Sequence, residues 1–469
     1  MKQYIFYFLI CFCIRLTGQD TSYVLTADEF MEVVKKYHPV ARQAYLIPQQ
    51  ALAELRLAQG GWDPTVYSDY NRKSYDGKNY YSYFENSVKI PVWYGLEVKA
   101  GYDFVYGNNL NPEALLPDDG LGYLGVSMPL IKNLFIDKQR AALRQAQIFR
   151  EASEQQRIIM LNDLLMQALT AYYEWAYSYY ELQIYTNAVE VARFRFEATK
   201  NAARLGDRPY IDTTEALTQL QSRQLQQNDA RLRFIQTSLD IANYLWLENG
   251  QPRPYDSRLV PAPLTSSYLQ TDIPLSKADE LEAQLRQSHP ELLNYRFKLQ
   301  QLDIERRLKI ENLKPALNAN YNLLSERFNF RSDAGIVFTN NYKFGINFYM
   351  PLAFVQGRAE YRLAKLKIQQ TQYELDLKTQ QLVNKLRAYY NELAILQEQT
   401  RIYEQSVSGF KQLFDGETIR FQNGESSLFL VNARENRYLE SLVKLRELQA
   451  KFYKTDASLR WTLGVLGAQ

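Results

Sequence analysis

The chain has 469 residues, 46% of them hydrophobic, enough for two to four ordinary domains or one large assembly with a sizeable core. Its formal charge of +3 arises from 55 basic and 52 acidic residues. No block of like charge marks a nucleic-acid surface or an acidic tail, so a nucleic-acid partner is not expected.

In chain order, Lys2 precedes the apolar run Tyr4–Ile14, and Gln19–Asp20 follow the small Gly18. This layout predicts a secretory signal peptide over residues 1–19, with cleavage near Gly18. Its apolar run, about eleven residues, is too short to span a bilayer. The two cysteines, Cys11 and Cys13, are preceded by Ile10 and Phe12 rather than by small residues, which argues against acylation. Beyond them the chain offers no disulfide framework, thiol nucleophile or cysteine-type zinc site. Because no later segment is an 18-residue apolar run, a membrane role would need β-strands. The 36 tyrosines suit such strands, and also lipid–water interfaces, where the ring is apolar and the hydroxyl wet.

From Thr26 to about Ala58 the pattern is helical, with an interruption at His38–Pro39 and a possible kink at Pro48. After Asp63–Pro64 the pattern alternates. Leu96, Val98, Ala100, Tyr102, Phe104 and Tyr106 are apolar, while Glu97, Lys99, Gly101 and Asp103 interleave, which predicts a strand with one apolar and one wet face. Phe84–Val92 and Leu121–Leu130 are weaker strands, separated from one another by the Leu96–Tyr106 strand and a loop over Gly107–Gly120. After Pro129 the chain is helical for some seventy residues to a break at Gly206–Asp207–Arg208–Pro209. A further helix runs to about Leu247, and prolines 252, 254, 261, 263 and 274 then predict a linker with little regular structure.

The plan then starts again. His38–Pro39 returns as His289–Pro290, Met128–Pro129–Leu130 as Met350–Pro351–Leu352, and the Gly206 break as Gly424, at offsets of 251, 222 and 218 residues. The helical parts therefore keep register, and the first copy carries 29 extra residues in its strand region. Strands of the second copy fall at Leu317–Leu324 and Tyr342–Leu352. We divide the chain into residues 20–249 (strands about 64–130), a linker at 250–276, and residues 277–469 (strands about 317–352).

Each copy also carries a seam. Leu382, Leu386, Tyr389, Leu393, Leu396, Tyr403, Val407, Phe410 and Phe414 step by fours and threes, with Thr400 the one polar occupant. Leu161, Leu165, Ala168, Tyr172, Trp175, Tyr179, Leu182 and Val189 do the same, with Thr186 in the gap. A mean step of 3.5 is coiled-coil spacing. No proline follows Leu352, so the second helix can run from about Ala353 to about Phe421, roughly 100 Å at ~1.5 Å per residue.

Alternating strands without apolar helices to cover them suit a closed membrane barrel, for which ~8 strands is the practical minimum. One chain offers four to six, so a ring of subunits sharing one barrel meets the demand. This arrangement resembles the TolC-type outer-membrane efflux proteins over about Thr26 to Leu466. The residues that carry it are the paired repeats; the turns Ser127–Met128–Pro129–Leu130 and Tyr349–Met350–Pro351–Leu352; the helix start Gly357–Arg358–Ala359; and the breaks around Gly206 and Gly424. The resemblance implies a mainly α fold with a membrane β-barrel: a homotrimer whose 12-stranded barrel, set in outer-membrane lipid, continues into a periplasmic α-helical coiled-coil tunnel. It implies a passive exit duct of a tripartite efflux or type I secretion system. Its periplasmic tips, at Gly206, Asp207, Gly424 and Glu425, would dock a membrane-fusion adaptor linked to an inner-membrane pump.

The sequence departs from that pattern at the tunnel entrance. The resemblance implies acidic residues six and nine positions after the second tip glycine, where this chain has Leu430 and Ala433, whereas the first tip carries Asp212 and Glu215 at the same offsets. These four are the entrance candidates, and cation selectivity is not transferred. The extra 29 residues are either an outward hairpin or two more strands, which would give 18 per trimer. His38 and His289 are the only histidines; two ligands are too few for zinc, and an X-Pro helix start explains their equivalence. No Cys–His pair or phosphate loop is present, so neither catalysis, a cofactor nor a metal is expected. Two other readings remain: a duct for polypeptides, and a periplasmic coiled-coil structural protein without a pore.

Overall fold

The computed structural model describes residues 23–254, 256, 258–264, 278–326 and 341–467. The expected signal peptide and both cysteines lie outside these residues, as does residue 265 to 277 of the proline-rich segment.

Helices α1 (Ala27–Tyr37) and α2 (Pro39–Gln59) meet at His38, and α5 (Ala278–Ser288) and α6 (Pro290–Glu311) meet at His289. Each histidine is extended, with ψ of 136° and 126°, as the residue before a proline must be. Each caps the following helix: Nδ1 of His38 accepts the Val40 N–H and Nδ1 of His289 accepts the Glu291 N–H, both at 3.2 Å. Proline at the next position costs nothing, because its missing N–H is one the first turn leaves unused. Pro48 sits inside α2 without ending it.

Two long helices dominate the molecule, α3 (Lys138–Arg204, 67 residues) and α7 (Val355–Gln422, 68 residues), each ~100 Å long at ~1.5 Å per residue. Each turns back into a shorter partner, α4 (Tyr210–Ala242) and α8 (Leu428–Thr462). Helix α4 ends five residues short of the expected Leu247, in a turn through Asn243 and Tyr244. Helix α3 packs on α2, α4, α6 and α8, and α7 on α6 and α8, so the two repeats lie side by side. Seam residues Leu161, Leu165, Ala168, Tyr172 and Trp175 are buried, as are Leu382, Leu386, Leu393 and Leu396. The polar occupants are accommodated identically in the two copies. Thr186 Oγ1 donates to the Leu182 carbonyl at 2.7 Å and Thr400 Oγ1 to the Leu396 carbonyl at 2.8 Å, so neither hydroxyl is left unsatisfied.

The proline-rich segment is not devoid of regular structure. Strand β1 (Tyr23–Leu25) pairs in parallel with β6 (Leu259–Pro261). Tyr172, on α3, clamps both: its hydroxyl donates to the Leu25 carbonyl at 2.8 Å and accepts the Ala262 N–H at 3.3 Å. Prolines disfavour long ladders but tolerate a three-residue edge such as this.

The remaining strands form one antiparallel sheet in chain order: β2 (Thr65–Tyr75), β3 (Lys78–Pro91), β4 (Glu97–Tyr106), β5 (Leu121–Pro129), β7 (Ala316–Ser325) and β8 (Tyr342–Tyr349). Among the described residues one chain thus supplies six strands to this sheet, where a 12-stranded trimer needs four. β2 and β3 are joined by the two-residue turn Asp76–Gly77, with φ of 51° and 69°, the left-handed pair that a tight hairpin requires. β3 and β4 are joined through Trp93–Gly95. There Trp93 stacks on Trp62, at the exit of α2, with centroids 5.5 Å apart. Gly95 (φ +73°) lies so close to Pro129 that a Cβ would come within 2.9 Å of its ring. The β3–β4 turn therefore sits at the helix end of the sheet. The extra residues of the first copy form strands that return to that end, not an outward hairpin.

Candidate functional site: a two-faced sheet and paired helical turns

Register assigns every strand side chain to one of two faces, since opposed residues share a face. Val66, Val88, Ala100, Leu124, Leu323 and Tyr342 form one continuous row across all six strands. Ile90, Val98, Val126, Tyr321 and Phe344 form the next. These rows are apolar and open, with Val66, Phe344, Ile346 and Phe348 all exposed, and the polar pair on this face, Ser68 and Asn86, is joined by a hydrogen bond of 2.8 Å from Ser68 Oγ to Asn86 Oδ1. The opposite face carries Lys89, Lys99, Gly125, Asn322 and Lys343 in one row and Asp69, Glu85, Asp103 and Leu121 in another. Three carboxylates directly opposed on neighbouring strands repel one another and require water. The sheet thus separates a lipid-compatible surface from an aqueous one.

At the far end of the helices the two turns share one cap geometry. Gly206 has φ +83° and Gly424 φ +82°. Gly206 N–H donates to the Ala203 carbonyl and Asp207 N–H to that of Ala202; Gly424 N–H donates to the Phe421 carbonyl and Glu425 N–H to that of Arg420. Both are Schellman motifs, which need a left-handed residue after the last helical turn. Nothing lies within 4 Å of a Cβ built on either glycine, so backbone conformation, not space, selects glycine. Asp207 and Glu425 are exposed beside them.

Arg208 ties the turns together. Its Nη2 donates to the Phe421 carbonyl at 3.2 Å and its guanidinium lies 3.9 Å from the Phe421 ring centroid. Asp212, in the first turn of α4, is 3.9 Å from Arg208 Nη1. Glu215 is engaged rather than free, accepting from Asn432 Nδ2 at 3.0 Å. Leu430 and Ala433 are both exposed on α8. Of the four entrance candidates, the structure therefore brings Glu215 to α8, at Asn432 and not at Ala433.

Above the turns lies a polar cluster that sequence reasoning did not find. Glu435 accepts from Arg195 Nη1 at 2.8 Å and Nη2 at 3.2 Å, and lies 3.9 Å from Arg223 Nη2. Asn432 accepts from Arg195 at 3.1 Å, and Asn436 accepts from Gln219 at 3.0 Å and from Arg223. Arg223 is 3% exposed and Glu435 3%. Burial lowers the proton affinity of Arg223 below that of an ordinary guanidinium, while Glu435 opposes this. Arg223 Nε finds no acceptor among the described residues. Arg223 occupies a core position in the series Ala216, Leu220, Arg223, Gln227 and Ala230, and a charge at a seam position was the available signal. Between α3 and α7, beside this cluster, a groove of about 540 Å³ is lined by Val191, Phe194, Ala198, Phe414, Ile419 and Phe421.

No helix among the described residues is long and apolar enough to cross a membrane. Among these residues no cluster of His, Cys, Asp or Glu is arranged to hold a metal ion.

The family model described as outer membrane efflux protein matches residues 122–245 and 281–465. Among curated proteins none matches significantly. The fold is similar to several solved structures. With the Campylobacter jejuni CmeC outer membrane channel the TM-score is 0.66 at 14% identity, covering 94% of this chain and 85% of that one. With the outer membrane protein VceC of Vibrio cholerae it is 0.65 at 15% identity, covering 93% and 96%. With the open state of the Neisseria gonorrhoeae MtrE outer membrane channel it is 0.65 at 14% identity, covering 93% and 88%.

Proposed function

Since the chain belongs to the outer membrane efflux protein family, we propose that it is a passive exit duct of a tripartite efflux or secretion system. It assembles as a homotrimer whose sheets close a barrel in the outer membrane and whose helices continue it as a periplasmic tunnel. The observation that carries this reading is the two-faced sheet: an apolar row from Val66 to Tyr342 across six strands, backed by a row of opposed carboxylates that needs water. In a bilayer only a closed barrel satisfies strand edges, and the polar face then lines its lumen.

The helical turns at Gly206–Asp207 and Gly424–Glu425 form the periplasmic tips and dock an adaptor protein, through which an inner-membrane pump delivers cargo. Asp212 and Glu215 stand at the entrance, with Leu430 and Ala433 as its uncharged counterparts. The cargo is small molecules, and energy comes from the partners. Repeats 20–249 and 277–469 are equivalent staves of the wall, joined through 250–276.

Purified trimers added to planar bilayers should give step-like conductance. Trimers that insert but never conduct, even with Asp212 and Glu215 neutralised to Asn and Gln, would count against a pore. A mature chain that stays dispersed in water without detergent would favour the structural coiled-coil reading.

A further inference from the structure

Resting on the trimeric duct proposed above, we propose that the barrel has eighteen strands, closed where the β2 edge of each subunit pairs with the β8 edge of the next. Three observations carry this.

First, β4 cannot serve as the subunit edge that a 12-stranded barrel would need. It is paired with β3 from Glu97 to Tyr106 without a register shift, so the side that would meet a neighbour is occupied. The edges of the sheet are β2 and β8, and among the described residues no strand pairs with the outer side of either. Both are exposed nearly throughout, and β2 is eleven residues long. Long exposed edges with apolar side chains are association surfaces.

Second, β2 and β3 lie in the apolar band and not beyond it. Val66 and Val88 share a row with Ala100 and Leu124, and the β3–β4 turn reaches the helix end of the sheet at Trp62 and Pro129. A hairpin folded away from the barrel would abandon this row.

Third, the stagger closes. The row that starts at Val66 ends at Tyr342. Val66 is one residue from the helix-proximal end of β2, Thr65, whereas Tyr342 is seven from the helix-proximal end of β8, Tyr349. Bringing both ends to one level takes a net step of six residues per six strands. With ~3.3 Å per residue along strands and ~4.8 Å between them, the strand tilt is about 35°, at the edge of the range found in closed barrels. The step is even, so faces match across the seam: Ser68 meets Ile346, and Tyr70 meets Phe344, on the apolar side, while Tyr67 meets Asn347 on the other.

Because barrel diameter grows roughly linearly with strand number, the lumen is about 1.5 times as wide as that of a 12-stranded barrel, in the range where strands enclose water and not packed side chains. The partner surface is a second copy of this chain.

The test places Ser68→Cys with Ile346→Cys, and separately Tyr67→Cys with Asn347→Cys, in a chain carrying Cys11→Ala and Cys13→Ala. Outer membranes are oxidised and run on denaturing gels, with each single-cysteine chain as control. At least one of the two pairs, which lie on opposite faces of the same register, is expected to give covalent dimers and trimers that collapse on reduction. A strand count on a cryo-EM map of the unmodified trimer in nanodiscs is expected to give eighteen and needs no substitution. Trimers that conduct but show twelve barrel strands and no cross-link from either cysteine pair would overturn the eighteen-strand closure and leave the duct intact. Absence of any trimer would overturn both.

Discussion

Replacing Glu435 with alanine should loosen the helical tips. The carboxylate holds two Arg195 nitrogens at 2.8 and 3.2 Å and faces Arg223 at 3.9 Å, with its side chain 4% exposed and that of Arg223 3%. Its loss leaves two guanidinium groups, one wholly buried, without a counter-charge, a change that costs ~3–5 kcal/mol in comparable buried pairs. At ~1.4 kcal/mol per tenfold, the lower bound corresponds to a rise of roughly 10²-fold in the opening equilibrium of this layer. Native-state hydrogen exchange followed by mass spectrometry, on peptides covering 428–445 of α8 and 216–227 of α4, measures it directly. The companion variant Glu435→Leu with Arg195→Met and Arg223→Leu removes all three charges and should recover much of the protection, because apolar groups of similar volume replace buried ion pairs at little cost. An increase below threefold in Glu435→Ala, or a triple variant as labile as the single one, would refute the reasoning.

Acid should weaken the fold at His289. Burial, helped by Lys378, pushes its imidazole down from 6.5 to about 4, so the folded state prefers the neutral ring. The stabilisation is complete above pH 6.5 and is lost as pH falls towards 4, ~3 kcal/mol in all; His289→Asn, which keeps a capping side chain, should flatten that part of a melting-versus-pH curve. Gly424→Ala should cost about 1 kcal/mol by forcing an L side chain into φ +82°, with Gly424→Asn costing less, read as thermal melting of trimers. On the sheet, Val98→Arg should reduce the heat-modifiable folded fraction in outer membranes by a destabilisation of ~2–4 kcal/mol, whereas Lys99→Glu on the wet face should leave it unchanged.

Much of this architecture is written in periodicities. The steps of three and four through Leu382–Leu396 and Leu161–Trp175 are the buried lines of α7 and α3, and the alternation from Leu96 to Tyr106 is β4. Both signals depend only on which side of an element meets the core. β2 escaped notice because Ser68 and Arg72 dilute its apolar face, although Asp76–Gly77 between Tyr75 and Lys78 was a strong hairpin signal. The strand at Leu259–Pro261 was hidden by prolines, since its partner lies at the far end of the chain and local composition says nothing about a distant ladder. The turns at Gly206 and Gly424 were visible because a left-handed cap selects glycine. The Arg195–Glu435 cluster was not, because ion pairs between helices follow from how the helices are set against one another, and only the misplaced charge of Arg223 hinted at it.

The parallel pair of β1 and β6 has a consequence for how the chain folds. Its register joins Tyr23 to Leu259, 236 residues apart, whereas the strand pairs of the main sheet, β5–β7 excepted, join neighbours in the chain. Closing so long a loop is entropically costly, and non-local parallel pairing is slow. Tyr172 can present its hydroxyl only after α3 has formed, so Leu25 and Ala262 dock on a surface that must already exist. Tyr23–Leu25 is therefore expected to dock late, after α3 is formed and Leu259–Ala262 has returned to it, an order that pulse-labelling hydrogen exchange during refolding would check.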